Sequence, residues 1–238
     1  MNPDKAPPPL LFRLFYAFYA WPVFLVLGAA ALPVLLLLPG LGARRTLIRH
    51  VAASSLWLLG MRVRAHDFDT LPHPCVVVAN HESYLDGVVM AAMLPPRFGF
   101  VIKREMRAVP AAGWLLERIG AQFVARNNGE GSARDALRVL RTAARGESLA
   151  FFPEGTFHRE PGLLPFHNGA FAAAKRCGSP LIPVVIRGTR RCLPPGTLAP
   201  WPGEITLTAL PAVPTPDSAG AAALRDRTRE IFLRHLPA

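Results

Sequence analysis

Hydrophobic and polar positions divide the chain into three regimes. Residues 14–39 run 26 positions without a charge, longer than the ~20 apolar residues a helix needs to cross a hydrocarbon core. Pro22 and Pro33 interrupt the run; because proline removes a helical hydrogen bond, the pattern admits one bent span or a re-entrant hairpin. Residues 45–59 then bring Leu47, Ile48, Val51, Leu56, Leu58 and Leu59 together at helical spacing behind a cationic start. That pattern predicts a helix on or in a membrane interface.

From Met61 onward the periodicity changes. Alternation predicts a strand over 61–66, and short apolar runs predict strands at 75–79, 98–102, 121–125, 148–152, 181–187 and 204–210. Between them the spacing predicts helices at 83–94, 110–119, 132–145 and 169–177, with a closing helix at 217–235. Strands alternating with helices imply an α/β fold: a mixed, largely parallel central sheet flanked by helices, preceded by a membrane-associated helical segment. The chain accordingly divides into a disordered tail (1–9), a helical anchor (10–60) and a catalytic domain (61–238). Residues 188–203 are too rich in Pro and Gly for an element and are read as a long connection.

Composition supports the anchor. Of the 238 residues, 51% are hydrophobic and 18% charged, and mean hydropathy is +0.26, high for a soluble domain. A cleaved leader fits poorly, since the apolar run is too long and no small-x-small site precedes Arg44 and Arg45. Cations flank the run at both ends, with Lys5 and Arg13 before it and Arg44, Arg45 and Arg49 after it. That symmetry suits a hairpin whose ends share the cytoplasmic side. The net charge of +11 favours an anionic membrane surface as partner. Nucleic acid is not expected, because no recognition module appears. Cys75, Cys177 and Cys192 show no C-x-x-C spacing and read as reduced, packed thiols of a cytoplasmic domain.

The candidate chemistry lies at strand ends. Asn80-His81-Glu82-Ser83-Tyr84-Leu85-Asp86 follows the run 75–79, and Pro153-Glu154-Gly155-Thr156 follows 148–152. Open α/β sheets place ligand clefts at such ends. Histidine is the side chain most readily used as a general base at neutral pH. Five helical residues rotate by ~500°, so His81 and Asp86 meet only if His81 precedes the helix and Asp86 lies in its first turns. Ser83 is the N-cap candidate for that geometry. Asp86 then holds one imidazole nitrogen and leaves the other as base, a triad without its own serine. Alone, such a pair is as readily a surface histidine and an unrelated capping aspartate.

Three more blocks stand in order, and with them residues 60–215 resemble the PlsC-type glycerolipid acyltransferases. The first block is the His81/Asp86 motif. The second contains Lys103-x-Glu105-Met106, Pro110, Gly113 and Gly120-Ala-Gln-Phe-Val-Ala-Arg126; the third is Phe152-Pro-Glu154-Gly155-Thr156; the fourth is the apolar run 181–188. The resemblance implies His81 as base, Asp86 as its partner, and Arg126 at an acceptor phosphate, where a guanidinium grips in bidentate fashion. It also implies that Lys103, Glu154, Gly155, Thr156 and Arg159 contribute to substrate binding, Glu154 through an acceptor hydroxyl or a neighbouring arginine. Phe157 stands where the family commonly has arginine, with Arg159 two places later.

The implied reaction moves a fatty acyl group from acyl carrier protein or acyl-coenzyme A to the hydroxyl of a lysophospholipid, foremost 1-acyl-sn-glycerol-3-phosphate, giving phosphatidic acid. No cofactor beyond the acyl donor and no metal is expected. Alternatives are O-acylation of another lyso-lipid, such as a lyso-ornithine lipid, or a non-catalytic lipid-binding membrane protein. A serine hydrolase is disfavoured because Ser83 lacks the Gly-x-Ser-x-Gly elbow.

Overall fold

The structure, a computed structural model, describes residues 9–125, 130–214 and 220–236. The chain opens with α1 (Leu10–Leu37) and α2 (Leu41–Leu58), continues through β1 (Arg62–His66), β2 (Val76–Ala79), α3 (Leu85–Met93) and β3 (Phe98–Lys103), and enters a short 3-10 turn at Arg104–Ala108. Then follow α4 (Ala112–Arg118), β4 (Gln122–Val124), α5 (Glu130–Ala144), β5 (Ser148–Phe151), α6 (Gly169–Arg176), β6 (Leu181–Arg187), α7 (Thr189–Cys192), β7 (Glu204–Ala209) and α8 (Ala221–His235).

The strands form one sheet in the order β1-β7-β6-β2-β5-β3-β4. Pairing is parallel except between β6 and β7. The chain reverses there through a connection of under twenty residues, and β1 follows β7, so the outer two strands run opposite to the other five. β2, with β5 on one side and β6 on the other, is buried at all four positions. Alternation along it feeds two cores. Val77 and Ala79 join Leu56, Leu59, Val89 and Phe98 under α1–α3, while Val76 and Val78 join Leu149, Phe171, Leu181 and Phe232 under α5, α6 and α8.

The uncharged run is neither broken nor folded back on itself. α1 is a single helix of 28 residues that continues through Pro22 and Pro33, so it is about 42 Å long at 1.5 Å per residue. Each proline removes one N–H from the ladder and leaves the rest in place. The hairpin lies instead between α1 and α2, closing over 38–40. α2 is no simple interfacial helix: Ala52, Ser55 and Leu56 are buried, packed between α1 and α3.

Both ends of α1 are fixed to the domain. Near its start, the Arg13 guanidinium donates to the Ala199 carbonyl at 3.0 Å and the Tyr16 hydroxyl to the Leu59 carbonyl at 2.5 Å. Near its end, Arg118 donates to the carbonyls of Leu35 and Leu36 at 3.1 Å. The face turned outward is apolar, with Leu11, Phe15, Phe18, Leu25 and Leu37 all exposed. Residues 188–203 also depart from expectation, because they contain α7 and pack on the candidate site.

Candidate active site

Three strand ends converge at the carboxyl edge of the sheet. β2 delivers Asn80 and His81, β5 delivers Glu154 and Gly155, and β6 leads into Arg190. Asn80 is the tie between two of them: its amide accepts from the Ile186 N–H at 2.7 Å and donates to the Ile186 carbonyl at 2.9 Å. Only a side chain carrying both donor and acceptor can close that pair.

The next residue turns into the site. His81 Nδ1 lies 2.8 Å from Asp86 Oδ2, and the same oxygen accepts from the backbone N–H groups of Glu82 at 2.6 Å and Ser83 at 2.8 Å. Helix α3 begins at Leu85, so His81 precedes it and Asp86 occupies its first turn. Ser83 stands one residue before the N-cap position, Tyr84, but its hydroxyl still accepts from the helix's Leu85 N–H at 3.2 Å, and it donates to the Leu193 carbonyl at 2.8 Å.

Asp86 is fully buried, and its second oxygen, Oδ1, is buried without a hydrogen-bond partner among the described residues. A carboxylate at Nδ1 favours the tautomer with the proton on that nitrogen, which leaves Nε2 as the one to face a substrate hydroxyl. The imidazole stacks on Phe152 with centroids 4.3 Å apart and meets the edge of Phe157 at 4.6 Å. Phe157 also packs on Tyr84 at 4.9 Å. These rings fix the imidazole plane and limit water around it.

Glu154 is held by two backbone donors. Oε1 accepts from the His81 backbone N–H at 2.7 Å, and Oε2 accepts from Leu164 N–H at 2.7 Å. With both oxygens held by backbone, the side chain anchors the histidine's own peptide. Burial pushes its pKa up from 4.5 to about 7 against the pull of those two N–H groups, and the nearby Glu82 and Asp86 charges add to the rise. Gly155 sits at φ +72°, a left-handed conformation that glycine adopts freely.

Arg190 completes the frame and was not legible beforehand. Its guanidinium donates to the carbonyls of Arg159 at 2.7 Å, His158 at 2.9 Å and Glu160 at 3.2 Å. Its Nε stands 4.0 Å from the Glu82 carboxylate, whose pKa burial raises. One side chain thus clamps the loop that carries Phe157 onto the histidine.

The remaining expected residues are more dispersed. Thr156 and Arg159 are exposed, and the Arg159 guanidinium lies so close to Gly196 that a Cβ there would fall 2.8 Å from its Nε. Lys103 ends β3 beside Val124; β5 separates β3 from β2, about 10 Å across two strand spacings. Arg126 lies outside the described residues. Just before it, Asp135 accepts from Ala125 N–H at 2.9 Å and Arg104 at 2.5 Å. Burial pushes Cys75 up to about 11 and Cys192 up to about 12, so neither offers a ready thiolate nucleophile.

A buried carboxylate orienting an imidazole at the mouth of a largely parallel sheet defines an α/β protein whose site is suited to proton abstraction from a bound alcohol. The comparisons with known proteins make the assignment specific. The family model described as Acyltransferase matches residues 62–187, and the chain belongs to that family. It is 30% identical over 229 residues to human 1-acyl-sn-glycerol-3-phosphate acyltransferase alpha, covering 91% of this chain and 78% of that protein. It is 37% identical over 131 residues to a lyso-ornithine lipid O-acyltransferase of Pseudomonas aeruginosa, covering 55% of this chain and 49% of that one. With other curated relatives the match spans as little as 36% of their length. The crystal structure of PlsC from Thermotoga maritima superposes with a TM-score of 0.76 at 22% identity, covering 94% of this chain and 93% of that chain. The fold is therefore that of PlsC.

Proposed function

We propose that this chain transfers a fatty acyl group from a thioester donor, acyl carrier protein or acyl-coenzyme A, to the free hydroxyl of 1-acyl-sn-glycerol-3-phosphate, forming phosphatidic acid. The observation that carries this reading is the 2.8 Å contact between His81 Nδ1 and Asp86 Oδ2 at the carboxyl edge of the sheet. His81 Nε2 takes the hydroxyl proton as the oxygen attacks the thioester carbonyl, and Asp86 stabilises the imidazolium that forms. Backbone N–H groups at the strand ends hold the tetrahedral oxyanion. Its collapse expels the thiolate, which takes the proton back from His81. No covalent enzyme intermediate and no resident cofactor enter the scheme.

The acceptor assignment draws on the name of the human relative, and the acceptor phosphate is assigned to Arg126. A second acceptor, a lyso-ornithine lipid, is favoured by one observation: Phe157, directly after Thr156, presents a ring to His81 rather than a charge to a phosphate. The relative from Pseudomonas aeruginosa bears that name.

The anchor belongs to the same proposal. Because α1 is tied to the domain near both ends, it lies along the domain with its apolar face outward, which suits a helix in the plane of one leaflet better than one crossing the bilayer. The catalytic domain then faces the cytoplasm, where the thioester donors are, and its arginines face anionic headgroups.

Purified protein, given each lyso-lipid with a labelled acyl thioester and read by mass spectrometry, tests the assignment. Phosphatidic acid is the expected product. Exclusive use of the phosphate-free acceptor overturns the phosphatidate reading and keeps the transferase; no acylated product from either overturns both.

A further inference from the structure

The segment 193–203, which links α7 to β7, contains no charged residue, and four of its residues are prolines. Surface loops are ordinarily polar, because water satisfies their backbone groups. Here four peptide N–H donors are absent, and the carbonyls nearest the helix are taken by α1. The Trp21 indole N–H donates to the Leu198 carbonyl at 2.8 Å, and Arg13 donates to the Ala199 carbonyl at 3.0 Å. Trp201 packs on the rings of Phe12 and Tyr16 at 5.1 and 5.6 Å. The Leu198 side chain nevertheless remains 69% exposed.

The polar tips of α1 follow the same rule. Tyr16 and Tyr19 donate to the carbonyls of Leu59 and Leu58, and Trp21 donates to Leu198. Tyrosine and tryptophan in membrane proteins usually keep such tips at headgroup level, where a partner is available. With every tip satisfied inside the chain, these rings need no headgroup. Leu14, Phe18, Trp21 and Leu25 fall on one stripe of the helix, all exposed, and Leu198 adjoins that stripe at Trp21.

From this we infer that the tip of this loop, at Leu198, is a second membrane contact, seated beside the N-terminal half of α1 against the acyl chains of the bilayer, with Arg159 beside Gly196 left on the headgroup side. The inference rests on the anchor reading above. It also bears on the chemistry, because the Leu193 carbonyl, at the start of the loop, accepts from Ser83 in the turn between His81 and Asp86. Seating the loop in lipid brings that turn to the bilayer surface, where a membrane-dissolved acceptor presents its hydroxyl.

Site-specific fluorescence on the full-length protein in phosphatidylcholine/phosphatidylglycerol vesicles tests the inference. Cys75 and Cys192 are buried, so a Cys177→Ser background leaves one labelling site. An environment-sensitive probe is placed by Leu198→Cys, by Phe18→Cys on the stripe, or by Glu230→Cys on exposed α8. The expected result is that the probes at 198 and 18 are both quenched by lipids spin-labelled in the acyl chain and protected from aqueous iodide, whereas the probe at 230 shows the reverse. Protection at 18 with iodide quenching at 198 equal to that at 230 overturns the inference and keeps the anchor; iodide quenching at both removes the two together. Independently, Leu198→Asp is expected to lower vesicle partition by ~10-fold or more at an unchanged melting temperature. Unchanged partition overturns the loop contact.

Discussion

Replacing Glu154 by Gln separates the site's architecture from its stability. In the ionised state both carboxylate oxygens accept a backbone N–H at 2.7 Å, one of them from His81. Glutamine keeps one acceptor and turns an NH₂ toward the other donor, leaving a buried N–H unpaired at a cost of about 1–3 kcal/mol. Displacing the His81 peptide by a fraction of an ångström then degrades the base's alignment, worth up to ~10²-fold in rate. Stability responds with the opposite pH dependence. Glu154 has its folded pKa raised from 4.5 to about 7, so its contribution is fully present below pH 4.5 and lost as pH climbs through 7. That amounts to about 3.5 kcal/mol at most, taking ~1.4 kcal/mol per pK unit. The stability deficit of Glu154→Gln should therefore shrink, or reverse, between pH 5 and 8, while its rate deficit grows as the wild-type carboxylate ionises and grips both donors. Thermal melts and initial acyl-transfer rates across that range make the comparison. Stability and rate deficits that move in parallel with pH would refute the assignment of Glu154 as the anchor of the histidine.

Two further substitutions probe the same frame. Asp86→Asn retains an oxygen for the Glu82 and Ser83 N–H groups but removes the charge that holds the imidazolium, so kcat is expected to fall by ~10²–10⁴ with KM nearly unchanged; a kcat within a few-fold of wild type would contradict the pairing. Arg190→Ala gives up three carbonyl bonds to residues 158–160, so amide exchange should quicken over 157–160 and KM for the acceptor should rise. Arg190→Lys should fail to restore either, because an ammonium lacks the planar fork, and wild-type exchange in Arg190→Ala would show that the clamp does not order the loop.

The local signals in the sequence were strong where one periodicity ruled. The run 75–79 is wholly apolar and became β2, buried on both faces, and the requirement that His81 precede the helix bearing Asp86 followed from helical rotation alone. Boundaries slipped by a residue or two: α3 starts at Leu85 with Tyr84 at its N-cap position, while Ser83 still accepts from Leu85 N–H and Asp86 takes the N–H groups of Glu82 and Ser83. Two features had no local signature. The antiparallel entry of β7 depends on a return path set by packing, and α7 is a single turn within a Pro/Gly-rich stretch, held by Arg190 and by the Leu193 carbonyl. The protein partners of Glu154, the peptides of His81 and Leu164, likewise had no local signature, because they are brought to it only by the sheet. The ties that fix α1 to the domain, to Ala199, Leu59 and Arg118, lie far away in sequence.

The central claim is that His81 removes the proton of a lipid hydroxyl. Purified wild type and His81→Ala, matched for melting temperature and vesicle binding, are given lysophosphatidate and a labelled acyl thioester, and the phosphatidic acid formed is quantified by mass spectrometry. The account predicts that product formation by His81→Ala falls by ~10²–10⁴ or more while lysophosphatidate binding is kept; acyl transfer within a few-fold of wild type would contradict it.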